Sequence, residues 1–428
     1  MRIRMFPLHE TTRRTLCRVA FVVLCLAPTA ATATWTIARN LPSRVSAVER
    51  QLQSKLGLDV RVGAMSHPRP GMTVLDHVEL RDPETSQTLG HFDKVEVILR
   101  DGTLLLRTSG SEVSAELFRP AWRWTDRTLR KVSASSRRPV RWFAAQLVLR
   151  HDDATLTLTD VHGGTTFTPT ASQAYVRFLP AAAGEEEPVT LRVIRNREHQ
   201  RPTTYLEWQA SRTDFPCQMF RPLVDATEWL GPHAQFRGYV WATRLPDGWD
   251  AELTGQLSQI DLHHAVTRHF PHQLSGTATL RLERAIVRSG RLVEVSGSFQ
   301  ADGGMVSRSL LESASRSLRM GWGVPDNAQG VLPYDQIAMG FSLDQGGVEL
   351  TGNCSQAPGA IVLGQRHILL QQPHGRQPVA ALIRTLVPHR EVQVPASREA
   401  QWLVARLPLA RVIAPFNTAA PPSSEEEK

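Results

Sequence analysis

Alternation of apolar and polar residues with a period of two is the feature that most limits the folds open to this 428-residue chain. Three such runs lie near the N-terminus, at 58–62, 73–80 and 94–99. Successive side chains of a β-strand point to opposite faces of its sheet, so the pattern predicts strands with one buried and one solvated face. Residues 43–56 instead show apolar residues at helical spacing and end before Gly57, which predicts a short amphipathic helix.

Further elements follow the same two periods through the rest of the chain. Alternation predicts strands at 104–107, 112–118, 146–150, 154–158 and 174–178, and a hairpin of 189–194 with 203–210. Helical spacing predicts helices at 120–132, 217–230, 306–318, 379–386 and 398–407. Polar composition predicts a solvated loop at 181–188 and a disordered tail at 421–428.

An internal sequence repeat, which we call the echo, lies in the C-terminal half. The runs 250–257, 292–299 and 347–354 each carry Glu, an apolar residue, Thr or Ser, and then Gly. Each run follows another alternating run, at 237–243, 277–283 and 336–343 respectively. The glycines are 42 and 55 residues apart, which favours a recurring hairpin with variable inserts over a strict solenoid. Glycine at a fixed place in a strand indicates a bend or bulge.

The N-terminal segment predicts export. Five arginines lie within the first 18 residues, and an apolar run follows at 19–38. About 20 apolar residues are enough to cross a hydrocarbon core of ~30 Å, and basic residues before the span predict a cytoplasmic N-terminus. Ala31-Thr32-Ala33 also fits a signal-peptide cleavage site, and Arg13-Arg14 fits a twin-arginine export signal. The anchor is the favoured interpretation, and a cleaved signal peptide competes with it.

Composition excludes some classes of function. The chain has a net charge of +8, of which residues 1–18 contribute half. The remaining positive charge forms no Lys/Arg block, which argues against binding of nucleic acid. A hydrophobic content of 41% with 21% charged residues is typical of a globular protein. Of the four cysteines, Cys217 and Cys354 are distant in sequence; an oxidising compartment would permit a disulfide between them, but two isolated cysteines make no zinc site.

Signals of catalysis are weak, because no nucleophile elbow, phosphate-binding loop or dinucleotide fingerprint occurs. Gly303-Gly304 precedes a predicted helix and fits either an anion site or, more simply, a tight turn. One polar group could bind a metal ion or simply form a polar helix or loop face: Asp261 with His263, His264, His269 and His272. A second group could be a paired-carboxylate site or, more simply, part of a turn: Asp152-Asp153 with Asp160 and His162. No catalytic, cofactor-binding or metal-binding residue is assigned.

Tryptophan is the remaining signal, with ten residues in the chain. Nine of them follow the apolar segment: Trp122, Trp124, Trp142, Trp208, Trp229, Trp241, Trp249, Trp322 and Trp402. Tryptophan is favoured in large cores and where one edge of the ring meets water or lipid. Core packing is the default interpretation, and the lining of an apolar groove is the alternative.

The two ends of the chain carry a resemblance to a known family. The run 52–60 leading into 74–83 behind an anchor, and the strands 331–343 and 347–352, resemble the beginning and the C-terminal pattern of AsmA-like proteins. The resemblance implies a long curved antiparallel sheet, tethered to the bacterial inner membrane, with an apolar groove for acyl chains and a role in envelope lipid transport or assembly. It implies no catalytic residues. At ~4.8 Å per strand, 16 to 20 strands would cover only part of the distance between two membranes.

We therefore expect a mainly β (α+β) fold in which repeated antiparallel hairpins are interspersed with short helices. The expected regions are 1–40 (cytoplasmic N-terminus and anchor or signal), 41–230 (N-terminal β region), 231–415 (hairpin repeat region) and 416–428 (disordered tail). We expect a single-pass protein of the inner membrane with most of its chain in the periplasm. Its expected role is non-enzymatic and consists of binding or transferring phospholipid or glycolipid, with possible envelope protein partners. A structural envelope protein without lipid cargo is the alternative, and an exported hydrolase is a minor one.

Overall fold

The structure is a computed structural model that describes residues 10–39, 42–130, 138–152, 154–181, 187–198, 201–246, 248–325, 329–365, 367–387 and 406–407. These residues form eighteen strands and few helices, so the mainly β fold class is confirmed. The chain divides into two compact units, 1–213 with 218–225 and 214–217 with 226–428. The predicted tail, the loop at 182–186 and nearly all of the helix at 398–407 lie outside the described residues.

A continuous apolar helix opens the described chain. It consists of α1 (Glu10–Phe21), a π-helical turn (Val22–Leu26) and α2 (Ala27–Arg39). The stretch Glu10–Thr34 is long and apolar enough to cross a membrane, by length and composition.

The first unit continues with an amphipathic helix and nine strands that follow one another in the sheet. The elements are α3 (Pro42–Leu56), β1 (Asp59–Arg69), β2 (Met72–Arg81), β3 (Thr88–Arg100), β4 (Thr103–Ser114), α4 (Phe118–Arg130), β5 (Val140–His151), β6 (Ala154–Phe167), β7 (Ala171–Pro180), β8 (Val189–Asn196) and β9 (Thr203–Pro216). Sequential neighbours pair antiparallel, as predicted, except β4 and β5, which pair in parallel across the α4 crossover.

A line of irregular positions crosses β1 to β6, and we call it the bulge line. Its members are Gly63, His77, Asp93, Gly110, Ala145 and Asp160. On β2, β4 and β6 the member has a left-handed φ, of 52° at His77, 58° at Gly110 and 50° at Asp160. Regular strands do not visit this region. The ladder resumes on each side in the same register, so the line is a stack of local irregularities that add no residue to either strand of a pair.

The bulge line reverses which alternate residues face the core. In the cluster below α3, Val60 and Val62 precede the line on β1, and Met65 follows it three residues later. Leu75 and Val78 share that cluster from the two sides of His77. A spacing of three in place of two means that the sheet keeps a single apolar face although the sequence alternation breaks.

This reversal explains why several strands were predicted too short. The runs 104–107 and 112–118 were expected as two strands, but they form the single strand β4, which ends at Ser114 and passes Gly110. Residues 115–118 belong instead to a 3-10 turn and to the start of α4. Similarly, β1 and β6 continue beyond the predicted runs 58–62 and 154–158, and β5 begins before 146–150.

The second unit contains nine further strands and two helices. The elements are β10 (Gln235–Leu245), β11 (Gly248–Asp261), β12 (Thr277–Arg288), β13 (Arg291–Ser307), α5 (Arg308–Leu318), β14 (Gly321–Trp322), β15 (Val331–Asp344), β16 (Gly347–Gly352), β17 (Ala360–Gly364), β18 (His367–Gln371) and α6 (Val379–Leu386). The three predicted echo hairpins are confirmed as the antiparallel pairs β10–β11, β12–β13 and β15–β16. Leu311 and Leu318 of α5 and Ala381 of α6 are buried in the core of this unit.

Two helix predictions are wrong in detail. The region 217–230 is not one helix but two 3-10 segments, Cys217–Phe220 and Asp225–Leu230. Pro222, which has no N–H to donate, lies between them. The helix expected at 306–318 begins at Arg308, because Ser307 caps it by accepting a hydrogen bond from Leu310 N at 3.3 Å.

The echo glycines are required where two backbones approach closely. A Cβ at Gly255 would lie 2.3 Å from Arg237 O, and one at Gly297 would lie 2.0 Å from Arg281 O. The ladder also shifts beside Gly255 in β11–β12 and opposite Gly297 in β12–β13. The predicted bulges are therefore present at these two copies.

Replacing Gly297 by Ala should destabilise the protein by about 1–3 kcal/mol, because the added methyl group overlaps a carbonyl oxygen that belongs to the sheet ladder. Gly340→Ala is the matched control on the adjacent strand β15, since its Cβ would lie 3.3 Å from the side-chain amide of Asn353 and 3.9 Å from the nearest backbone atom, Gly297 O. The control should change stability by less than about 0.5 kcal/mol. Denaturant unfolding in mild detergent measures both, and equal losses would contradict the close-approach explanation.

Candidate functional site

One face of the first unit's sheet is apolar from β3 to β9. Residues that pair across neighbouring strands form a row: Val97, Leu106, Trp142, Gly163, Val176, Leu191 and Trp208. A second row two residues away contains Leu99, Leu104, Val140, Thr165, Ala174, Val193 and Leu206. We call the face that carries these rows the apolar face. It is the candidate functional site, because thirteen of these fourteen residues carry apolar side chains or none and the exception is Thr165.

The opposite face carries a different chemistry, and we call it the polar face. The row between the two apolar rows contains Ile98, Leu105, Arg141, Gly164, Tyr175, Arg192 and Glu207. Arg192 Nη1 and Glu207 Oε2 lie 3.6 Å apart, an ion pair across β8 and β9. Among these three rows, the charged side chains therefore lie on the polar face.

The apolar face is only partly covered. Leu99 is 48% exposed, and Val97, Leu106, Val176 and Leu191 are half-buried. Towards β9 the face is closed by aromatic rings, since Trp208 lies 6.3 Å from Phe178 and 5.1 Å from Phe220 between ring centroids. Helix α4 contacts β7 and β8. Apolar surface that is neither fully buried nor solvated well is the kind of surface that takes an apolar ligand.

The apolar face of the second unit is covered by its own helices. Its row of cross-strand partners contains Phe236, Leu257, Leu280, Phe299 and Met339. Four of these five pack against the cluster that includes Leu311 and Leu318 of α5 and Val379 and Ala381 of α6. This face is therefore an ordinary core.

The tryptophans of the described residues lie in different environments. Trp142 and Trp208 lie on the apolar face of the first unit, where Trp142 Nε1 donates to Thr108 Oγ1 at 3.2 Å. Trp229 instead stacks on His269 at 4.3 Å, and Trp241 lies opposite Glu252 on the polar side of β10. Trp402 lies outside the described residues.

The Asp261 group does not converge on one point. Asp261 Oδ1 accepts from the backbone N–H groups of His263 and His264 at 2.8 and 3.3 Å, and its Oδ2 lies 2.7 Å from His264 Nδ1. Burial acts to raise the pKa of Asp261, but the hydrogen bonds from His264 and His263 lower it overall. His269 is stacked on Trp229. The aspartate therefore caps the turn at 263–267, which agrees with the simpler interpretation of a polar turn.

His272 is a core residue that joins three segments. It is 2% exposed, and its Nε2 donates to Thr385 O of α6 at 3.0 Å. Its Nδ1 lies 3.0 Å from Ser309 Oγ of α5, which is the donor once Nε2 carries the proton. Burial lowers the pKa of His272, so the ring is neutral near pH 7.

The remaining sequence candidates are also separated. Asp152 pairs with Arg221 at 3.2 Å, whereas Asp160 pairs with His162 at 2.8 Å; Asp153 lies outside the described residues. Gly303 and Gly304 lie inside β13 and so do not begin a helix. Cys217 and Cys354 are buried free thiols, and burial raises the pKa of Cys217 to about 12.

Acidification should destabilise the second unit through His272. The folded-state pKa lies below the ordinary value of ~6.5, so the unfolded chain binds the proton first and stability falls as the pH drops through that value. We expect His272→Gln to have a flatter dependence of the unfolding midpoint on pH between 7.5 and 5.5. His263→Gln, at an exposed position, should keep the wild-type slope. If the unfolding midpoints of all three proteins depended on pH with the same slope, His272 would not be the group whose protonation destabilises the second unit.

Comparison with known proteins adds no assignment. No family model, no curated protein and no solved structure matches this chain. The likeness to AsmA-like proteins at residues 52–60, 74–83, 331–343 and 347–352 therefore stays an expectation from the sequence. The features that bear on function are the candidate membrane span and the two faces of the first unit's sheet.

Proposed function

We propose that this protein is a non-enzymatic component of a bacterial cell envelope that binds or transfers lipid along the apolar face of its first unit. The observation that carries the proposal is the row from Val97 to Trp208, which is apolar on seven neighbouring strands and only half-buried at five of its seven positions. A candidate membrane span in the same chain would bring this face close to a source of acyl chains.

The dimensions of the row suit an acyl chain. Seven strands at ~4.8 Å spacing make a row of about 29 Å, whereas one leaflet contributes about half of a ~30 Å hydrocarbon core. Each methylene that leaves water for the apolar face gains about 0.8 kcal/mol. A single chain laid across the strands would therefore fit within the row and bind without any charged contact.

The proposed location is the inner membrane, with the N-terminus in the cytoplasm and both units in the periplasm. The support is the asymmetry of charge around the span: arginines 2, 4, 13, 14 and 18 precede the most apolar residues. Proposed partners are phospholipid or glycolipid acyl chains and envelope proteins.

A structural role without lipid cargo is the second candidate. The second unit favours it, since α5 and α6 cover the equivalent face there and leave an ordinary core. The two candidates differ in what covers the half-exposed row of the first unit.

Photo-crosslinking from adjacent positions of one strand tests the lipid proposal. A benzophenone amino acid at Leu191 of β8 should give adducts with phospholipid or glycolipid in cells, because Leu191 lies on the apolar face. The matched control is the same amino acid at Arg192, one residue later and on the polar face. Adducts are identified by mass spectrometry of the purified, folded protein. Equal lipid adducts at both positions, or only protein adducts at Leu191, would favour the structural role.

Membrane topology is tested by fusing alkaline phosphatase to the C-terminus of the full chain, because this enzyme is active only after export. We expect the alkaline phosphatase fusion to be active. As the control, green fluorescent protein fused at the same position should not fluoresce. Intact mass of the membrane-bound protein should include residues 1–38 if the segment is an anchor. A mass that begins after Ala33 would instead show a cleaved signal peptide.

A further inference from the structure

Three metal-ligating side chains meet on the polar face of the first unit at the bulge line. They are His77 on β2 and His91 and Asp93 on β3, and one ligand atom of each lies within 4.8 Å of those of the other two. His91 Nε2 and Asp93 Oδ1 are 3.1 Å apart. His77 and Asp93 are exposed and His91 is half-buried, so the group is open to solvent.

The left-handed backbone of His77 sets this arrangement. Its φ of 52° interrupts β2, while the flanking pairs Asp76–Lys94 and Val78–Phe92 keep the ladder in register. His77 therefore lies directly opposite Asp93, and the reversal of alternation leaves its side chain on the face away from the core residues Leu75 and Val78. A left-handed residue other than glycine costs about 1–3 kcal/mol and is concentrated at functional sites.

Gly110 makes the space in which the Asp93 carboxylate lies. A Cβ on Gly110 would be 1.8 Å from Asp93 Oδ2 and 2.2 Å from its Cγ. The carboxylate thus lies against the backbone of β4, where any residue other than glycine would overlap it. Its position is fixed by the strand and not by a flexible loop.

The other charged side chains around the group pair with one another. His91 lies between Glu79 on β2 and Glu112 on β4 in the ladder. The nearby basic side chains pair with carboxylates outside the group: Arg81 with Glu79 at 2.6 Å, Lys94 with Glu96 at 2.8 Å and Arg150 with Glu112 at 2.8 Å. The imidazoles and Asp93 are thus left facing one another.

We propose that His77, His91 and Asp93 bind one divalent transition-metal ion, with Zn²⁺ as the expected ion. Two imidazoles and a carboxylate are a known zinc ligand set, and a fourth position stays open for water or an external ligand. Zinc bonds of ~2.0–2.2 Å at tetrahedral angles place ligand atoms about 3.4 Å apart. Because the ligand atoms lie within 4.8 Å of one another, side-chain rotations that draw them together by up to about 1.4 Å would reach that spacing, and the bound ion would join β2 to β3.

The test uses the full chain in detergent micelles, without a histidine tag, because the sequence already holds 15 histidines. Titration calorimetry with Zn²⁺ should show a saturable site with one ion per chain. His77→Asn removes a ligand but keeps a residue that tolerates the left-handed backbone, and Asp93→Asn removes the carboxylate charge. Each should raise Kd by at least about 10-fold, since even changes next to a ligand typically cost 10–100-fold.

The matched control is His162→Gln at the other Asp–His pair on the bulge line. His162 Nε2 lies 2.8 Å from Asp160 Oδ1, but this pair is not part of the three-ligand group among the described residues. Its Kd for Zn²⁺ should equal that of the wild type. Zn²⁺ should also raise the melting temperature of the wild type and of His162→Gln, but not of His77→Asn.

Circular dichroism of each variant first establishes that it is folded. If folded His77→Asn and Asp93→Asn bind Zn²⁺ as tightly as the wild type, or if the wild type shows no saturable site, the assignment is wrong. Saturable binding of Fe²⁺ or Ni²⁺ without Zn²⁺ would overturn the choice of ion.

Discussion

A strand can bury only alternate side chains, and this constraint governs the first unit. If the core is to continue past a point where the apolar pattern shifts by one, the backbone must reverse its alternation there. The bulge line does this on six consecutive strands at matching positions. Because every strand shifts together, hydrogen bonding resumes on each side and the apolar face stays continuous. The free-energy cost falls mainly on His77 and Asp160, since glycine accepts the left-handed region without strain.

Local periodicity was enough to predict most elements. The helix α3, the hairpin β8–β9 and the three echo hairpins follow from alternation, helical spacing and glycine. The errors arise where local pattern and tertiary structure diverge. Because alternation breaks at Gly110, β4 was predicted as two strands. The apolar spacing at 217–230 predicted one helix, but the structure has two 3-10 segments with a proline between them.

The candidate sites show the same limit more strongly. The apolar rows cannot be found without knowing which strands are neighbours, because their members come from strands up to about 110 residues apart. His77, His91 and Asp93 are close in sequence, but their meeting depends on the left-handed φ of His77, which the sequence does not indicate directly. The only local signal at His77 is the loss of alternation between Leu75 and Val78. Conversely, the dense histidines at 263–272 attracted attention by proximity in sequence, and the fold distributes them among a turn, a tryptophan stack and a core.

The parallel pairing of β4 and β5 has a consequence for how the first unit assembles. Every other pairing in this unit joins strands connected by short links, so the blocks β1–β4 and β5–β9 are each made of local contacts. The junction between β4 and β5, which we call the seam, pairs Leu104 with Val140, 36 residues away, and α4 crosses between the two strands. Closure of that longer loop costs more chain entropy and contributes most to contact order. The two blocks would therefore be the natural folding modules, with the seam as their last and slowest junction.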